Sequence, residues 1–153
     1  MNVILADLVN YINSLKNNSL DLLIVFDVLK HFTKNELSDL INECYRVLNQ
    51  GGKVICHTPN AESPFGFHMR EWDFTHEIAF TRESIAQLFL SHGFREVNSF
   101  EDEPIPHGIM SWGGFVLWKC FVRNVYRFFT IVSTGGCERN AIFSRNFLTV
   151  VIK

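Results

Sequence analysis

Residues 20 to 57 constrain the fold more than any other part of this chain, because they read as strand, helix, strand with little between. Leu20 to Phe26 is apolar apart from Asp21 and too short for a stable helix, which fits a strand that a parallel sheet buries on both faces. Thr33 and Glu36 form a T-x-x-E capping box, so a helix begins there, and Leu37, Leu40, Ile41, Cys44 and Leu48 line one face of it. Gly51 and Gly52 are expected to end that helix. Lys53 to His57 then forms the next strand, which Thr58-Pro59-Asn60 stops. Such a unit is a right-handed crossover in nearly every known case, so the two strands should lie parallel in one sheet.

The remainder fits one domain. At 153 residues, with 47% hydrophobic and 20% charged residues, the chain can bury a sizeable core and is not a disordered tail. A formal net charge of -2 supplies no positive field for phosphates, so no nucleic-acid partner is expected. Four dispersed cysteines form no C-x-x-C pair, and the N-terminal residues show no basic segment followed by an apolar run. A reducing, cytoplasmic setting is therefore expected.

Residues 2 to 5 read as the end of a strand, and Asp7 caps a helix running to about Lys16 on the pattern Leu8, Tyr11, Ile12, Leu15. Residues 61 to 80 are irregular, as functional loops often are. Thr81 starts a helix with Ile85, Leu88 and Phe89 inward and Gly93 at its close. Phe94 to Phe100 and Phe147 to Ile152 read as an antiparallel pair at a sheet edge. The expected domain spans 1–153, with a core of 1–100 and 145–153 and a helical insertion at about 108–135. Within that insertion Lys119, Arg123 and Arg127 recur every four residues, a basic stripe on an otherwise apolar helix. The stripe is either a solvated face or a peripheral membrane contact with anionic lipid.

Several short motifs, in order, carry a family resemblance. Ser19 to Ile24 looks like the fourth strand of class I S-adenosylmethionine (SAM) methyltransferases. Asp27-Val28-Leu29-Lys30-His31 resembles their VLEH element, with Lys30 where the family has Glu. Tyr45-Arg46-Val47-Leu48 with Gly51-Gly52-Lys53 is similar to their RVLkPGG turn. Thr75-His76, Phe80-Thr81 and Gly93-Phe94 are like the later H…FT…GF pattern. Thr58 to Pro64 and Asp73 to Glu77 resemble a bacterial subgroup associated with glycans and the cell envelope.

The resemblance implies an α/β fold: a partial Rossmann-like sheet, mostly parallel with an antiparallel C-terminal strand and lacking the first two strands. It implies SAM as cofactor and O-methylation of a small-molecule or glycan acceptor. Family members carry a glycine-rich loop after the first strand and an acidic residue after the second, and neither motif stands in this sequence. Leu20 to Phe26, central in the family sheet, would then form an open apolar edge. The rival expectation is an inactive remnant, or a subunit that pairs through that edge as a homodimer or with a hetero-partner.

By resemblance Asp7, Asp27 and His31 are cofactor-binding candidates. Asp7 reads equally as a helix cap, and His31 as an exposed residue where a helix begins. His76 is the candidate general base, since an unperturbed imidazole suits removal of a hydroxyl proton, with Asp73 to orient it. Its alternative is to pack the loop onto the next helix. Asn60 and Glu77 are substrate-side candidates, Asn60 reading otherwise as a strand terminator. The spacing of His68, Asp73, His76 and Glu77 matches no zinc pattern, so no metal is expected.

Overall fold

The structure, a computed structural model, describes residues 4–64, 66–71, 73–103, 105–138 and 141–153. Helix α1 (Leu8–Ser14) leads to β1 (Leu20–Phe26), a 3₁₀ turn at Leu29–His31, α2 (Lys34–Val47) and β2 (Leu48–Pro59). Then come α3 (Gly66–Glu71), α4 (Arg82–Ser91), β3 (Glu96–Glu101), α5 (Ile109–Leu117), a π turn (Trp118–Val122), α6 (Arg123–Thr134) and β4 (Asn146–Ile152).

The four strands make one sheet in the order β1-β2-β4-β3. β1 and β2 pair in parallel, while β4 runs antiparallel to both β2 and β3. Three strands therefore point one way and β4 alone points back, so the expected mostly parallel α/β sheet is present. Their shared carboxyl edge is where open sheets of this kind bind ligands.

One face of the sheet carries the core. Val25, Val54, Cys56, Phe147 and Val151 face Leu37, Ile41, Ile85 and Phe89 of α2 and α4, all buried. Each such aliphatic or aromatic side chain contributes roughly 1.5–3 kcal/mol by leaving water. The opposite face is different. Register places Phe26, His57, Leu148 and Phe100 in one row across it, and Phe26 and Phe100 are 60% and 53% exposed. β1 is thus an edge strand with Leu22, Ile24 and Phe26 in solvent, not a strand buried on both faces.

Two local expectations need correction. Helix α2 ends at Val47, because Leu48 is already extended (φ -75, ψ 142), fully buried and paired with Leu20. The glycines serve the strand instead. The register jumps from Leu20↔Leu48 to Leu22↔Lys53, Gly51 sits at φ +76, and a Cβ on Gly52 would meet the Asn49 carbonyl oxygen at 2.8 Å. The second concerns residues 2 to 5: Asn2 and Val3 lie outside the described residues, and Ile4 and Leu5 join no strand.

Candidate active site

The site is built at the carboxyl edge, where β1 hands over to the turn at Leu29–His31. The loop after α3 is pinned to that turn. The Glu77 and Ile78 amides both donate to the Lys30 carbonyl, at 2.8 and 3.3 Å. This brings His31 and the Asp73–His76 segment together from 44 residues apart.

Asp73 Oδ1 accepts from the Thr75 amide and from the Thr75 hydroxyl, both at 2.9 Å. Those donors favour the carboxylate and hold the Asp73 pKa below its usual value. The Thr75 proton is spent on Asp73, so at 2.9 Å the His31 Nδ1 must donate to Thr75 Oγ1. A neutral His31 then carries its lone pair at Nε2. His76 meets it edge-on, with ring centroids 5.0 Å apart and planes at 63°. Asp73 therefore orients His31 through Thr75, a link the sequence did not reveal.

A second cluster lies beside the first. His57, 6% exposed, stacks on Phe26 with centroids 4.2 Å apart. Its Nε2 bonds Asp102 Oδ2 at 3.4 Å, and its Nδ1 approaches Asp27 Oδ2 to 3.1 Å without hydrogen-bond alignment. Asp27 also pairs with Lys30 Nζ at 3.3 Å and is held at φ +58, in the left-handed region that Asp tolerates better than most residues. Periodicity puts His57 at the end of its strand. Nothing local announces Asp102, which arrives from the far side of the sheet.

The other candidates scatter. Asn60 is 1% exposed and fully occupied: its amide donates to the Ile142 and Ser144 carbonyls, and its oxygen accepts from the Glu62 amide. It ties loops together and does not line a mouth. Asp7 caps α1, accepting the Asn10 amide at 3.0 Å. Glu77 is exposed at the pinned loop. An open cleft of about 350 Å³, lined by Ile4, Ala6, Leu8 and Tyr11, adjoins Asp7 in sequence.

Residues 1–56 match the family model described as a methyltransferase domain. No curated protein matches the chain. Among solved structures it is similar to a SAM-dependent methyltransferase from Archaeoglobus fulgidus, at 19% identity and TM-score 0.71, over 99% of this chain and 67% of that one. A SAM-dependent methyltransferase from Thermotoga maritima aligns at 17% identity and TM-score 0.58, covering 92% of this chain and 59% of its own. The methyltransferase in complex with the Haloferax volcanii Trm112 methyltransferase activator aligns at 14% identity and TM-score 0.52, over 91% and 56% of the two chains. The chain thus spans two thirds of the first structure's length and less of the others'.

The residues present do not by themselves make a complete SAM site. Residues 27–31 contain no glycine, so the turn after β1 offers no side-chain-free backbone for a ligand to approach closely, and among the described residues no strand pairs with the outer side of β1. What remains is the open cleft near Asp7 and polar side chains at the strand ends. Sheet order, strand direction and these likenesses give the chain the fold of the SAM-dependent methyltransferases.

Proposed function

We propose that this chain is a SAM-dependent methyltransferase domain whose residues form the acceptor side of the site, for O-methylation of a small molecule or sugar. The observation that carries the reading is the Asp73–Thr75–His31 chain with His76 against it, at the carboxyl edge of the sheet. An attacking hydroxyl must lose its proton, and an imidazole is matched to that task near neutral pH. Here Asp73 and Thr75 fix the His31 tautomer, while His76 offers a second ring to the same space. Asp27 and Asp7 are the groups that would face the nucleoside side, His31 would stand at the border between cofactor and acceptor, and Glu77 would face the acceptor side. The bacterial glycan resemblance of residues 58–64 and 73–77 supports a sugar acceptor. Four free cysteines, two of them buried, fit a reducing, cytoplasmic setting.

The exposed β1 edge favours a second reading: a subunit, or a remnant without activity, that completes itself by accepting a strand from another polypeptide. The likeness to a methyltransferase solved in complex with an activator supports a protein partner in general. Isothermal titration of the purified chain with SAM separates the two. Binding in the micromolar range supports the self-sufficient enzyme, and His76→Ala should then lower methyl transfer about 100-fold or more with SAM affinity little changed. Absence of heat at millimolar SAM rejects it in favour of the partnered form.

A further inference from the structure

Between Ile109 and Thr134 the chain is helical without a break, through α5, the π turn and α6, and it buries none of its residues. Its three cations reach back to groups on the body, Lys119 with its side chain still 45% exposed. Lys119 Nζ lies 3.1 Å from Glu103 Oε2, Arg123 Nη1 lies 3.3 Å from Glu101 Oε2, and Arg127 Nη2 donates to the Glu138 carbonyl at 3.0 Å. On an unbroken α-helix each four-residue step drifts by about 40°. The wider π turn, placed between Lys119 and Arg123, takes up that drift and keeps the three cations facing the body.

Phe115, Trp118, Val122 and Tyr126 are half-buried, with Tyr126 stacked on Phe143, but most of the apolar side chains are left outside. Ile109, Trp112, Val116, Phe121, Phe128 and Phe129 are between 51% and 93% exposed, and with the wider π turn counted they spread over about half the helix circumference. The helix bears no charge besides those three cations, so this arc is electrically neutral. Soluble monomers rarely expose contiguous apolar surface on such a scale.

We propose that this helix lies in the plane of a lipid bilayer surface, its outer arc in hydrocarbon, held by apolar burial and not by headgroup charge. Charge complementarity selects the occupant. The cations that would meet anionic headgroups are already engaged by Glu101, Glu103 and the Glu138 carbonyl, so the complement of the outer arc is an uncharged phase. Width points the same way. A packed partner helix, such as that of a second copy, covers a stripe about 100° wide and would leave apolar side chains wet on both flanks. A bilayer surface covers half a cylinder along the full length of about 40 Å. Among the described residues no helix is long and apolar enough to cross a membrane, which leaves the in-plane orientation. This inference stands apart from the methyltransferase reading.

Flotation of the full chain with phosphatidylcholine vesicles tests it, with and without phosphatidylglycerol, at low and high salt. The chain should float with the uncharged vesicles, and added anionic lipid or salt should change the bound fraction less than about twofold. The double variant Phe121→Ser/Phe128→Ser should lose binding by at least about tenfold. Its thermal melt should be unchanged, since both rings are exposed. No flotation overturns the proposal, as does binding that requires anionic lipid and vanishes in salt. A dimer by light scattering that the same variant abolishes, without flotation, would assign the arc to a second copy and overturn it too.

Discussion

His31 Nδ1 sits 2.9 Å from the Thr75 hydroxyl, and because that hydroxyl donates to Asp73, the contact fixes which histidine nitrogen carries the proton. Thr75→Val removes the acceptor and should release the ring to exchange between tautomers. Nitrogen-detected NMR of the His31 side chain reads this directly: a protonated Nδ1 in the native chain, mixed tautomers in the variant. An unchanged ring spectrum would show that the Thr75 carbonyl, at 3.2 Å, suffices alone.

The same substitution bears on Asp73. Its carboxyl is held below the usual value by the Thr75 amide first and the Thr75 hydroxyl second. The folded-state pKa is depressed, so the stabilisation is present above the unfolded pKa near 3.9 and is lost as pH falls through the lower folded value. Thr75→Val should move the Asp73 midpoint part of the way back up, since the amide bond survives. A carboxyl-carbon NMR titration measures the shift, and a midpoint that stays put would mean the hydroxyl contributes nothing.

Local chemistry was legible, and long-range meeting was not. The Thr33–Glu36 box and the Thr81 start of α4 are short-range hydrogen-bond patterns, and both stand in the structure, Thr81 with Ser84 as its partner. The antiparallel pairing expected of the stretches 94–100 and 147–152 is present as β3 with β4. Where Gly51-Gly52 misled, a tertiary demand outranked the local stop signal: Leu48 is drawn into the core and ends α2 early. The 109–134 helix was legible as a helix, but its partners were not. Its cation spacing was visible, but the carboxylates of Glu101 and Glu103 that turn the stripe inward belong to another element. His57 and Asp102 likewise meet only because the sheet places them at adjoining ends of the carboxyl edge.

Thiol reactivity should divide the cysteines in two. Burial pushes Cys44 up to about 12 and raises Cys56 as well, whereas Cys120 is exposed and Cys137 half-buried. Only thiolates react quickly with an aromatic disulfide reagent. At mildly alkaline pH the native chain should release colour for the two accessible thiols, and unfolding in guanidinium should release the other two. Rapid reaction of Cys44 in the native chain would mean that α2 opens far more readily than its packing against the sheet implies.

The first turn of α2 rests on a reciprocal pair. Thr33 Oγ1 accepts the Glu36 amide, and Glu36 Oε2 accepts the Thr33 amide at 2.9 Å. The Thr33 hydroxyl also donates to Glu36 Oε2 at 2.6 Å, and this bond first, the Thr33 amide second, lowers the Glu36 pKa. Thr33→Ala should cost about 1 kcal/mol, and Thr33→Ser should recover most of it. Urea melts of the three proteins measure both. Equal stability of the alanine and serine variants would show that the cap is redundant here.

Arg46 decides whether α1 stays docked. A helix of seven residues has no stability of its own in water, so α1 depends on what holds it. One hold is Ile12, 2% exposed against α2. The other is the Arg46 guanidinium, which donates to the Ile12 carbonyl at 3.0 Å, the Leu15 carbonyl at 2.8 Å and Asn17 Oδ1 at 2.6 Å. These carbonyls close α1, the Ile12 carbonyl also accepting the Leu15 amide at 3.1 Å, and a cation suits the negative end of the helix dipole. Glu43, 2.6 Å away, holds the guanidinium in place from within α2. Arg46→Ala should therefore release α1 while leaving the sheet intact. Hydrogen exchange reads the two regions separately: amides 8–14 should exchange at least about tenfold faster, equivalent to about 1.4 kcal/mol of local stability, with the β1–β2 amides unchanged. Arg46→Lys should fall between, because an ammonium cannot span three acceptors in the guanidinium plane. If the proposed nucleoside role of Asp7 is right, the alanine variant also weakens SAM binding, since Asp7 rides on α1. Unaltered exchange across 8–14 would leave Ile12 as the sole anchor and remove Arg46 from the account.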